Sequence, residues 1–431
     1  MNFDRMRELF LDQAIRGELV SQLAEEGVVE QIGAAPEEVP FKIPESWSWI
    51  RVEELAVKRK TIDPSTLTND EIELWSIPAF DAGVAEKVSP GDIGSSKKVV
   101  QVGDVLLAKI VPHIKRVWVV SESANSLIKL ASTEWLVYAS ELFLPEFMGL
   151  LFRAPYFRTK MMGSVSGMGS LKRANPRILA KVWLPVPPIK EQERIVTRLE
   201  DAFAEIDRAE KAYGELQTLA GVLRGQILQE AIEGKLVPQL AEEGVVEQIG
   251  AAPEEVPFEI PEKWKWYYLG SVIEYGKSNQ VSGDEITSQT WVLDLEDIEK
   301  NTGRILEKKR GVPSTSNKNK FESGYVLYSK LRPYLNKVVV ADEAGVCTTE
   351  IVPINVIGAS VPLDAKYLQT YLMSPFFVNY ANQASYGVKM PRLGTKDARA
   401  ALIPIPPLEE QKRIVQKVVE LLSQTDSLAG C

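Results

Sequence analysis

The chain of 431 residues is 45% hydrophobic and 25% charged and carries a net charge of −9, which is typical of a globular protein with room for two or more domains. It has no apolar run of eighteen residues and its first residues, MNFDRMRELF, are charged, so the sequence predicts neither a signal peptide nor a membrane anchor. Cys347 and Cys431 are the only cysteines, which argues against a disulfide framework or a cysteine-rich zinc site and fits a cytoplasmic location.

The first predicted element is a short amphipathic helix from Asn2 to about Leu23. Three apolar side chains would share one of its faces: Phe3, Met6 and Phe10. An acidic connector with glycine and proline follows, and it leads into a domain of mixed helices and strands.

That domain covers residues 42–183, with strand candidates that begin at Val99 and Val117. Counted over 42–188, it has 19 Lys and Arg against 15 Asp and Glu, and residues 259–407 have 18 against 16. The rest of the chain therefore holds the negative charge. Globular parts that are less acidic than their connectors are compatible with phosphate contact.

The longest pattern lies over 189–237, where apolar or small residues recur at alternating steps of four and three. This seam consists of Ile195, Leu199, Ala202, Ile206, Ala209, Tyr213, Leu216, Ala220, Leu223 and Ile227. Such a heptad pattern predicts a helix that packs against another helix and reaches roughly 70 Å at about 1.5 Å per residue. A core helix rarely shows this stripe at such length. Glycines favour a bend or break near Tyr213: Gly214, Gly221 and Gly225.

An internal repeat organises the chain: residues 22–41 recur letter for letter at 239–258. The match extends to AIRGELV against AIEGKLV, to IPESWSW against IPEKWKW, and to LPVPPIKEQERIV against IPIPPLEEQKRIV. The chain is thus a tandem duplication of about 190 to 200 residues, too long a period for a solenoid. The tryptophans that recur in both copies are predicted to lie in the core of each first strand: Trp47, Trp49, Trp264 and Trp266.

Both chain ends align on the central helix, which predicts that the two terminal helices together pair with it. The predicted fold class is mixed α+β, with two duplicated α/β domains separated by long antiparallel coiled-coil helices in a pseudo-twofold, circular arrangement. The predicted division is an N-terminal helix over 1–23 that completes the far end of the helical pair, a first domain over 24–188, the central spacer helix over 189–237, a second domain over 238–407 and a C-terminal spacer helix over 408–431.

Two different α/β domains and two PPxxEQxRIV helices in a duplicated frame resemble the specificity subunit of type I restriction-modification systems. The resemblance covers essentially the whole chain. It implies that both domains are target-recognition domains, each reading one half of a split, asymmetric DNA site, and that the helices set the distance between the halves. It also implies a prokaryotic cytoplasm and three kinds of partner: double-stranded DNA, two methyltransferase subunits, and restriction subunits.

Corresponding loops of the two domains are the candidates for DNA contact. GDVLLAKIVPHIKRVWV aligns with GYVLYSKLRPYLNKVVV, and in both a strand ends at a lysine before a proline turn. The candidate side chains are Lys109, His113, Lys115 and Arg116 in the first domain, and Lys330, Arg332, Tyr334, Asn336 and Lys337 in the second. Arg and Lys bind guanine edges or phosphates, and Asn reads adenine. The alternative is a β-hairpin whose polar residues are only solvated.

A second pair of loops, SGMGSLKRANPR and SYGVKMPRLGTK, combines glycine with basic residues. Glycine permits close approach of the backbone to phosphates, although a flexible interdomain loop is an equal alternative. The candidate residues here are Lys172, Arg173, Lys389 and Arg392.

Charged residues also flank the helical seams at equivalent positions of the two copies: Glu191, Arg194, Glu410 and Arg413. We interpret them either as contacts to partner or neighbouring helices or as ordinary surface pairs three residues apart.

The chemistry of known enzymes is largely missing from the sequence. His113 is the only histidine, and there is no GxxxxGK[ST] loop and no glycine fingerprint for a methyl-donor cofactor. We therefore expect no catalytic residue, cofactor or metal, with adenine-N6 methylation supplied by a partner. The alternative is a self-contained Mg²⁺-dependent DNA endonuclease built on Asp297, Glu307, Lys308 and Lys309. A third possibility is a coiled-coil scaffold that binds proteins.

Overall fold

The computed structural model describes residues 1–122, 127–166, 172–312 and 316–430. The chain divides into two compact units, Met1–Ala212 and Tyr213–Cys431. In the part of the chain that is described, no helix has the length and apolar content required to cross a bilayer.

Unit 1 mixes short helices and short strands around one main core. Its helices are α1 (Phe3–Arg16), α2 (Val52–Leu55), α3 (Ile77–Ala82), α4 (Pro145–Arg153), α5 (Pro155–Gly163), α6 (Pro176–Leu179) and the start of α7 (Ile189–Ile232). Its strands are β1 (Ser48–Arg51), β2 (Thr61–Ile62), β3 (Ile72–Trp75), β4 (Glu86–Val88), β5 (Lys97–Val99), β6 (Val105–Ala108), β7 (Val117–Val119), β8 (Lys129–Ala131), β9 (Trp135–Tyr138), β10 (Val165–Ser166), β11 (Arg173–Ala174) and β12 (Trp183–Val186).

The strands of unit 1 form small separate sheets. The order β2-β5-β8-β3-β4 gives a five-stranded sheet in which only β3 and β8 are parallel, and β7-β6-β9 gives a three-stranded antiparallel sheet. β1 pairs with β12, so the first strand of the domain lies beside the strand that leads into α7. The segment from Val99, which the sequence predicted as one strand, is two strands separated by a turn at Gly103, whose φ of 88° suits glycine.

Unit 2 repeats this order of elements. Its helices after α7 are α8 (Leu269–Val272), α9 (Ala365–Met373), α10 (Pro375–Ala384), α11 (Thr395–Ala400) and α12 (Leu408–Ala429). Its strands are β13 (Lys265–Tyr268), β14 (Gln280–Val281), β15 (Trp291–Leu293), β16 (Lys309–Arg310), β17 (Lys318–Phe321), β18 (Val326–Ser329), β19 (Val338–Val340), β20 (Gly345–Thr348), β21 (Ile351–Ile354) and β22 (Leu402–Ile405). The sheets β14-β17-β20-β15-β16, β19-β18-β21 and β13-β22 match those of unit 1 strand for strand.

The central helix α7 begins at Ile189, as the sequence predicted, and runs without interruption for 44 residues, or about 66 Å. The prediction of a break at the three glycines is wrong, because α7 passes through all of them. Each costs only about 1 kcal/mol in a helix, too little to interrupt one that is packed at both ends. The seam is buried near those ends, at Ile195, Leu199 and Ile227, whereas Leu216 and Leu223 near the middle are exposed.

The N-terminal helix α1 packs antiparallel beside the first part of α7. Arg7 lies near the start of α1 and its Nη2 is 2.6 Å from Asp207 Oδ1, whereas Gln22, beyond the end of α1, contacts Glu191 at the start of α7. The buried face consists of Phe3, Leu11, Ala14 and Ile15; Met6, predicted on this face, is partly exposed.

The helix α1 ends at Arg16, whereas the sequence predicted that it would extend to about Leu23. Gly17 follows with φ 74°, and the amides of Gly17 and Glu18 bond back to carbonyls of the last turn. A Cβ at Gly17 would also collide with Pro44. Gly234 ends α7 in the same way, against Pro261, so both copies use one device to turn the chain from the helix into the connector.

The start of α7 is joined to the rest of unit 1 by the side chains of Glu191, Gln192 and Arg194, whose contacts we call the helix-start contacts. Gln192 is fully buried: its Oε1 accepts from the Leu144 amide at 2.8 Å, and its Nε2 donates to the Leu142 and Pro187 carbonyls. Glu191 Oε2 accepts from Trp47 Nε1 at 2.9 Å. Burial raises the pKa of the Glu191 carboxyl above its usual value.

Arg194 completes the helix-start contacts by binding the connector. Its Nε and Nη2 donate to both carboxylate oxygens of Glu26, at 2.8 and 2.6 Å, and Nη2 also reaches the Ser21 carbonyl. Glu26 lies in a short 3₁₀ turn (Ala24–Glu26) inside the repeated segment. These residues therefore make contacts within unit 1 and do not form the surface pairs three residues apart that the sequence also allowed.

Unit 2 repeats the glutamine and arginine contacts of this set at the start of α12, whereas Trp264 Nε1 has no hydrogen-bond partner among the described residues. Gln411 binds the Asp364 amide and the Pro362 and Pro406 carbonyls. Arg413 binds Glu243 through Nε and Nη2, both at 2.6 Å, and Glu410 accepts from Gln239. Arg224 Nη2 pairs with Asp426 Oδ1 farther along, so α12 runs antiparallel to the second part of α7.

We predict that Arg194→Ala lowers the free energy of unfolding by about 2 kcal/mol, because it leaves the Glu26 carboxylate, 6% exposed, without its bidentate partner. Arg208→Ala on the same helix is the control: Arg208 and Glu205 are both 72% exposed, and we expect a loss below about 0.5 kcal/mol. Urea unfolding followed by tryptophan fluorescence measures both.

The same pair predicts a pH dependence. Arg194 holds the pKa of Glu26 below its usual value. The stabilisation that this ion pair contributes is therefore present at neutral pH and is lost as the pH falls through the pKa of Glu26 in the folded state. The difference between wild type and Arg194→Ala should therefore shrink in acid. Equal losses in Arg194→Ala and Arg208→Ala at neutral pH would contradict this account.

Candidate nucleic-acid interface

The predicted turn after β6 and β18 has the same unusual backbone in both units. Val111 and Arg332, at equivalent positions, have φ of 48° and 50°, although each is an ordinary L-residue directly before a proline. This left-handed conformation is strained for such residues. In each turn an amide three residues later bonds back to the strained residue: Ile114 to the Val111 carbonyl, and Leu335 to that of Arg332.

The two predicted loops of each unit lie side by side. In unit 1 the Val111 amide donates to the Lys172 carbonyl at 2.9 Å, and the Ala174 amide donates to the Lys109 carbonyl at 2.8 Å. In unit 2 the Arg332 amide donates to Pro391 at 2.7 Å, and the Leu393 amide to Lys330 at 3.0 Å. The bridges Ile110↔Arg173 and Leu331↔Arg392 have the same register. The structure thus brings together loops about 60 residues apart in sequence.

A carboxylate that the sequence analysis did not identify joins each pair of loops. Arg173 donates through Nε and Nη2 to Glu134, both at 3.2 Å. In the same way Arg392 binds Glu350, with Nη2 to Oε1 at 2.8 Å, and lowers the pKa of Glu350. The amides of Lys109 and Lys330 bond to the carbonyls of these two glutamates. Only the duplication, applied to acidic as well as basic positions, could have indicated them.

The other predicted residues of the first turn in unit 1 differ in accessibility. His113 is exposed, and only its backbone carbonyl is engaged, by Arg158 Nη2 at 3.3 Å. Lys115 is exposed but pairs with Glu8 of α1 at 2.9 Å. Arg116 is 9% exposed and binds Asp81 through two hydrogen bonds of 2.9 and 2.8 Å. Its guanidinium is therefore used within the unit. Lys109 Nζ donates to the Thr133 carbonyl at 3.1 Å.

The corresponding turn of unit 2 also contains both exposed side chains and side chains that bind groups of their own unit. Tyr334 is 50% exposed at the tip, and Lys330 is half-buried at the stem. Asn336, with φ 48°, donates from Nδ2 to the Met373 carbonyl at 3.0 Å, and Lys337 Nζ donates to Leu295 at 2.6 Å. Arg332 is half-buried, and its Nε has no hydrogen-bond partner among the described residues. A buried donor left unpaired is costly, which makes Arg332 a candidate for contact with a ligand.

The second loop places its lysines at the surface. Lys172 is exposed; the preceding residues 167–171, which belong to the predicted loop, lie outside the described residues. In unit 2 the loop is a hairpin closed by reciprocal backbone bonds between Tyr386 and Arg392, with Lys389 exposed near its tip.

The acidic–lysine spacing that suggested a nuclease does not form a metal site in the structure. Asp297 is 2% exposed and its Oδ1 pairs with Lys309 Nζ at 2.6 Å, while Lys308 pairs with Asp342. Glu307 points to solvent as an exposed residue. Over the described ranges no three His, Cys, Asp or Glu residues come together as metal ligands.

Known proteins with similar sequences indicate the family that this chain resembles. A family model described as the type I restriction modification DNA specificity domain matches residues 261–429. The specificity subunit of the type I restriction enzyme EcoAI from Escherichia coli is 24% identical over 98% of this chain and 90% of its own length. Residues 261–429 thus match the type I DNA specificity domain, and the chain is similar to type I restriction-modification specificity subunits over nearly its whole length.

Further relatives are also type I specificity subunits. The EcoDI specificity subunit of Escherichia coli is 27% identical to this chain over 58% of the chain and 57% of its own length. A solved structure of the HsdS subunit from Thermoanaerobacter tengcongensis superposes with a TM-score of 0.57 at 22% identity, covering 91% of this chain and 93% of that one. A chain from a structure of a type I R-M system gives 0.69 at 20% identity, covering 90% and 93%. These likenesses confirm the mixed α/β fold with a long helix.

We predict that Val111→Gly leaves the free energy of unfolding unchanged or raises it by up to about 1 kcal/mol, because glycine adopts φ 48° without strain. Val117→Gly, in the adjacent strand and fully buried, should lower it by more than about 2 kcal/mol. Chemical unfolding compares the two. A loss in Val111→Gly as large as that in Val117→Gly would show that the turn is not strained.

Proposed function

We propose that the chain is the DNA-recognition subunit of a type I restriction-modification complex and carries no catalysis of its own. The observation that carries this proposal is the repeated pair of basic loops. Both units present them in the same backbone register, on a chain that is similar to specificity subunits over nearly its whole length. Adenine-N6 methylation and cleavage would come from methyltransferase and restriction subunits, two of the former, in a prokaryotic cytoplasm, with no cofactor bound by this chain.

The two units are proposed to be separate target-recognition domains. Their sheets have the same strand order, but the side chains of their turns differ: His113 in unit 1 corresponds to Tyr334 in unit 2, and Val111 to Arg332. Side chains in the loops determine which bases are bound, so two different loop sets imply an asymmetric, bipartite site. The continuous helix α7 would fix the number of unread base pairs between the two halves.

Within each interface, the exposed residues and the buried ones are proposed to act differently. His113, Lys172, Tyr334 and Lys389 are accessible and would contact DNA directly. Arg116, Asn336 and Lys337 bind groups of their own unit and would position the turn. Four candidates have partners within their own unit and would exchange them for DNA: Lys109, Lys115, Arg173 and Arg392. Lys330 and Arg332 are half-buried at the stem and would contact DNA at the base of the turn.

The endonuclease alternative finds no support. Its candidate carboxylate is buried against Lys309, and the relatives are specificity subunits. Lys308 forms an ordinary surface ion pair with Asp342, and Lys309 pairs with the exposed Glu296 as well as with the buried Asp297. We therefore propose recognition without cleavage by this chain.

We predict that Arg332→Ala relaxes the bases read in one half-site and His113→Ala those in the other half-site. The measurement is genome-wide mapping of methylated adenines in cells that express each variant with its methyltransferase partners, starting from the bipartite motif of the wild type. A single lost base contact costs about 1–3 kcal/mol, enough to admit additional bases at one position.

Lys308→Ala is the control for these variants, because Lys308 pairs with Asp342 and Glu343 outside the paired loops, and its motif should stay unchanged. The proposal is contradicted if either variant alters both halves of the motif, or if both variants alter the same half. A wild type that gives no bipartite motif would reject the recognition function itself.

A further inference from the structure

The hairpin of unit 2 between Tyr386 and Arg392 exposes apolar side chains in a way that folding alone does not explain. Val388 is fully exposed, the highest value among the large hydrophobic side chains described, and Tyr386 and Met390 are 62% and 45% exposed. The run Tyr-Gly-Val-Lys-Met therefore offers three apolar side chains and one lysine to solvent. Single exposed apolar residues are common, whereas a cluster at the tip of a projecting loop indicates a binding surface.

The base of this hairpin is fixed by several contacts. The amides of Tyr386 and Arg392 exchange hydrogen bonds of 3.1 and 2.9 Å with each other's carbonyls. The Arg392 guanidinium is bound by Glu350, and the Pro391 carbonyl accepts from the strained Arg332. Gly387, with φ 95°, forms the sharp turn. A tip on a rigid stem is presented without the entropy cost of ordering a flexible loop.

The charges around the tip select a polyanion as the partner. Lys389 lies between Val388 and Met390 and is exposed, while Lys330 and Arg332 lie at the stem. The nearby carboxylate of Glu350 is neutralised by Arg392. An apolar tip beside lysine suits a DNA groove, because the major groove admits a two-stranded ribbon and offers apolar thymine methyl groups, while phosphates line its edges.

We propose that the hairpin from Tyr386 to Arg392 is a specificity-determining element of unit 2, which enters a groove of double-stranded DNA. Val388 and Met390 contact base edges there, and Lys389 contacts the phosphate backbone. This inference rests on the proposed function and deepens it, because it assigns base recognition to apolar residues that no charge pattern would select.

The test uses the complete complex of the chain with its methyltransferase subunits, and duplexes with and without the mapped motif, over a series of salt concentrations. For the double variant Val388→Ser with Met390→Ser, we expect affinity for the motif to fall about tenfold, the size of one lost base contact. Affinity for non-specific DNA and the salt dependence should stay within twofold of wild type. Discrimination should be lost in one half-site only.

Two variants serve as references. Lys389→Ala should weaken binding to both duplexes and reduce the slope of log affinity against log salt by about one. Ile357→Ser is the matched control. Ile357 is 85% exposed in the same unit, but it lies just after the end of β21, whereas Glu350 lies just before the start of that strand. It should bind both duplexes as the wild type does.

Two results would overturn this inference alone: a double variant that behaves as Ile357→Ser does, or one that loses affinity for both duplexes equally. A wild-type complex that does not distinguish the motif from other DNA would overturn the proposed function together with this inference. Thermal unfolding of the double variant should match that of the wild type, since both substituted side chains are exposed.

Discussion

The buried glutamine at the start of each long helix is the interaction on which the rest of the architecture depends. The carboxamides of Gln192 and Gln411 each satisfy three backbone groups that would otherwise be buried without partners, and leaving such groups unpaired is costly. The neighbouring arginines extend the contacts to the connectors. The direction in which each helix leaves its domain is therefore fixed by hydrogen bonds within that domain. A rigid exit from each domain is what a spacer between two binding sites needs.

These contacts also give a reason for the most conspicuous sequence feature, the duplicated segment. Gln22 and Glu26 bind Glu191 and Arg194, and the repeated Gln239 and Glu243 bind Glu410 and Arg413. Both partners of each contact recur, so the same connection forms twice. The turns in the candidate interface differ from this pattern. The two units keep the same backbone register, including the strained position before proline, but carry different side chains there. The two units thus share one backbone frame and differ in the side chains of these turns.

Much of this could be predicted from the sequence, because periodicity and repetition are local signals. The start of α7, the buried tryptophans and the correspondence of the two turns all followed from them. The end of α1 was misplaced because Gly17 and its collision with Pro44 depend on a contact across the domain. Arg116 and Asn336 looked free in the sequence, but tertiary partners engage them. Glu134 and Glu350 were missed because a carboxylate beside basic loops has no signature until the pairing of the loops is known.

We propose above all that the length of α7 sets the distance between the two half-sites. The most direct measurement is to insert seven residues between Ala212 and Tyr213, where each terminal helix keeps its own contacts, and to map the methylated motif. Seven residues lengthen the helix by about 10 Å and leave its rotation within about 20° of the original. We therefore predict that the unread spacer becomes longer by about three base pairs while both half-sites stay unchanged. An active complex whose spacer keeps its original length would contradict it.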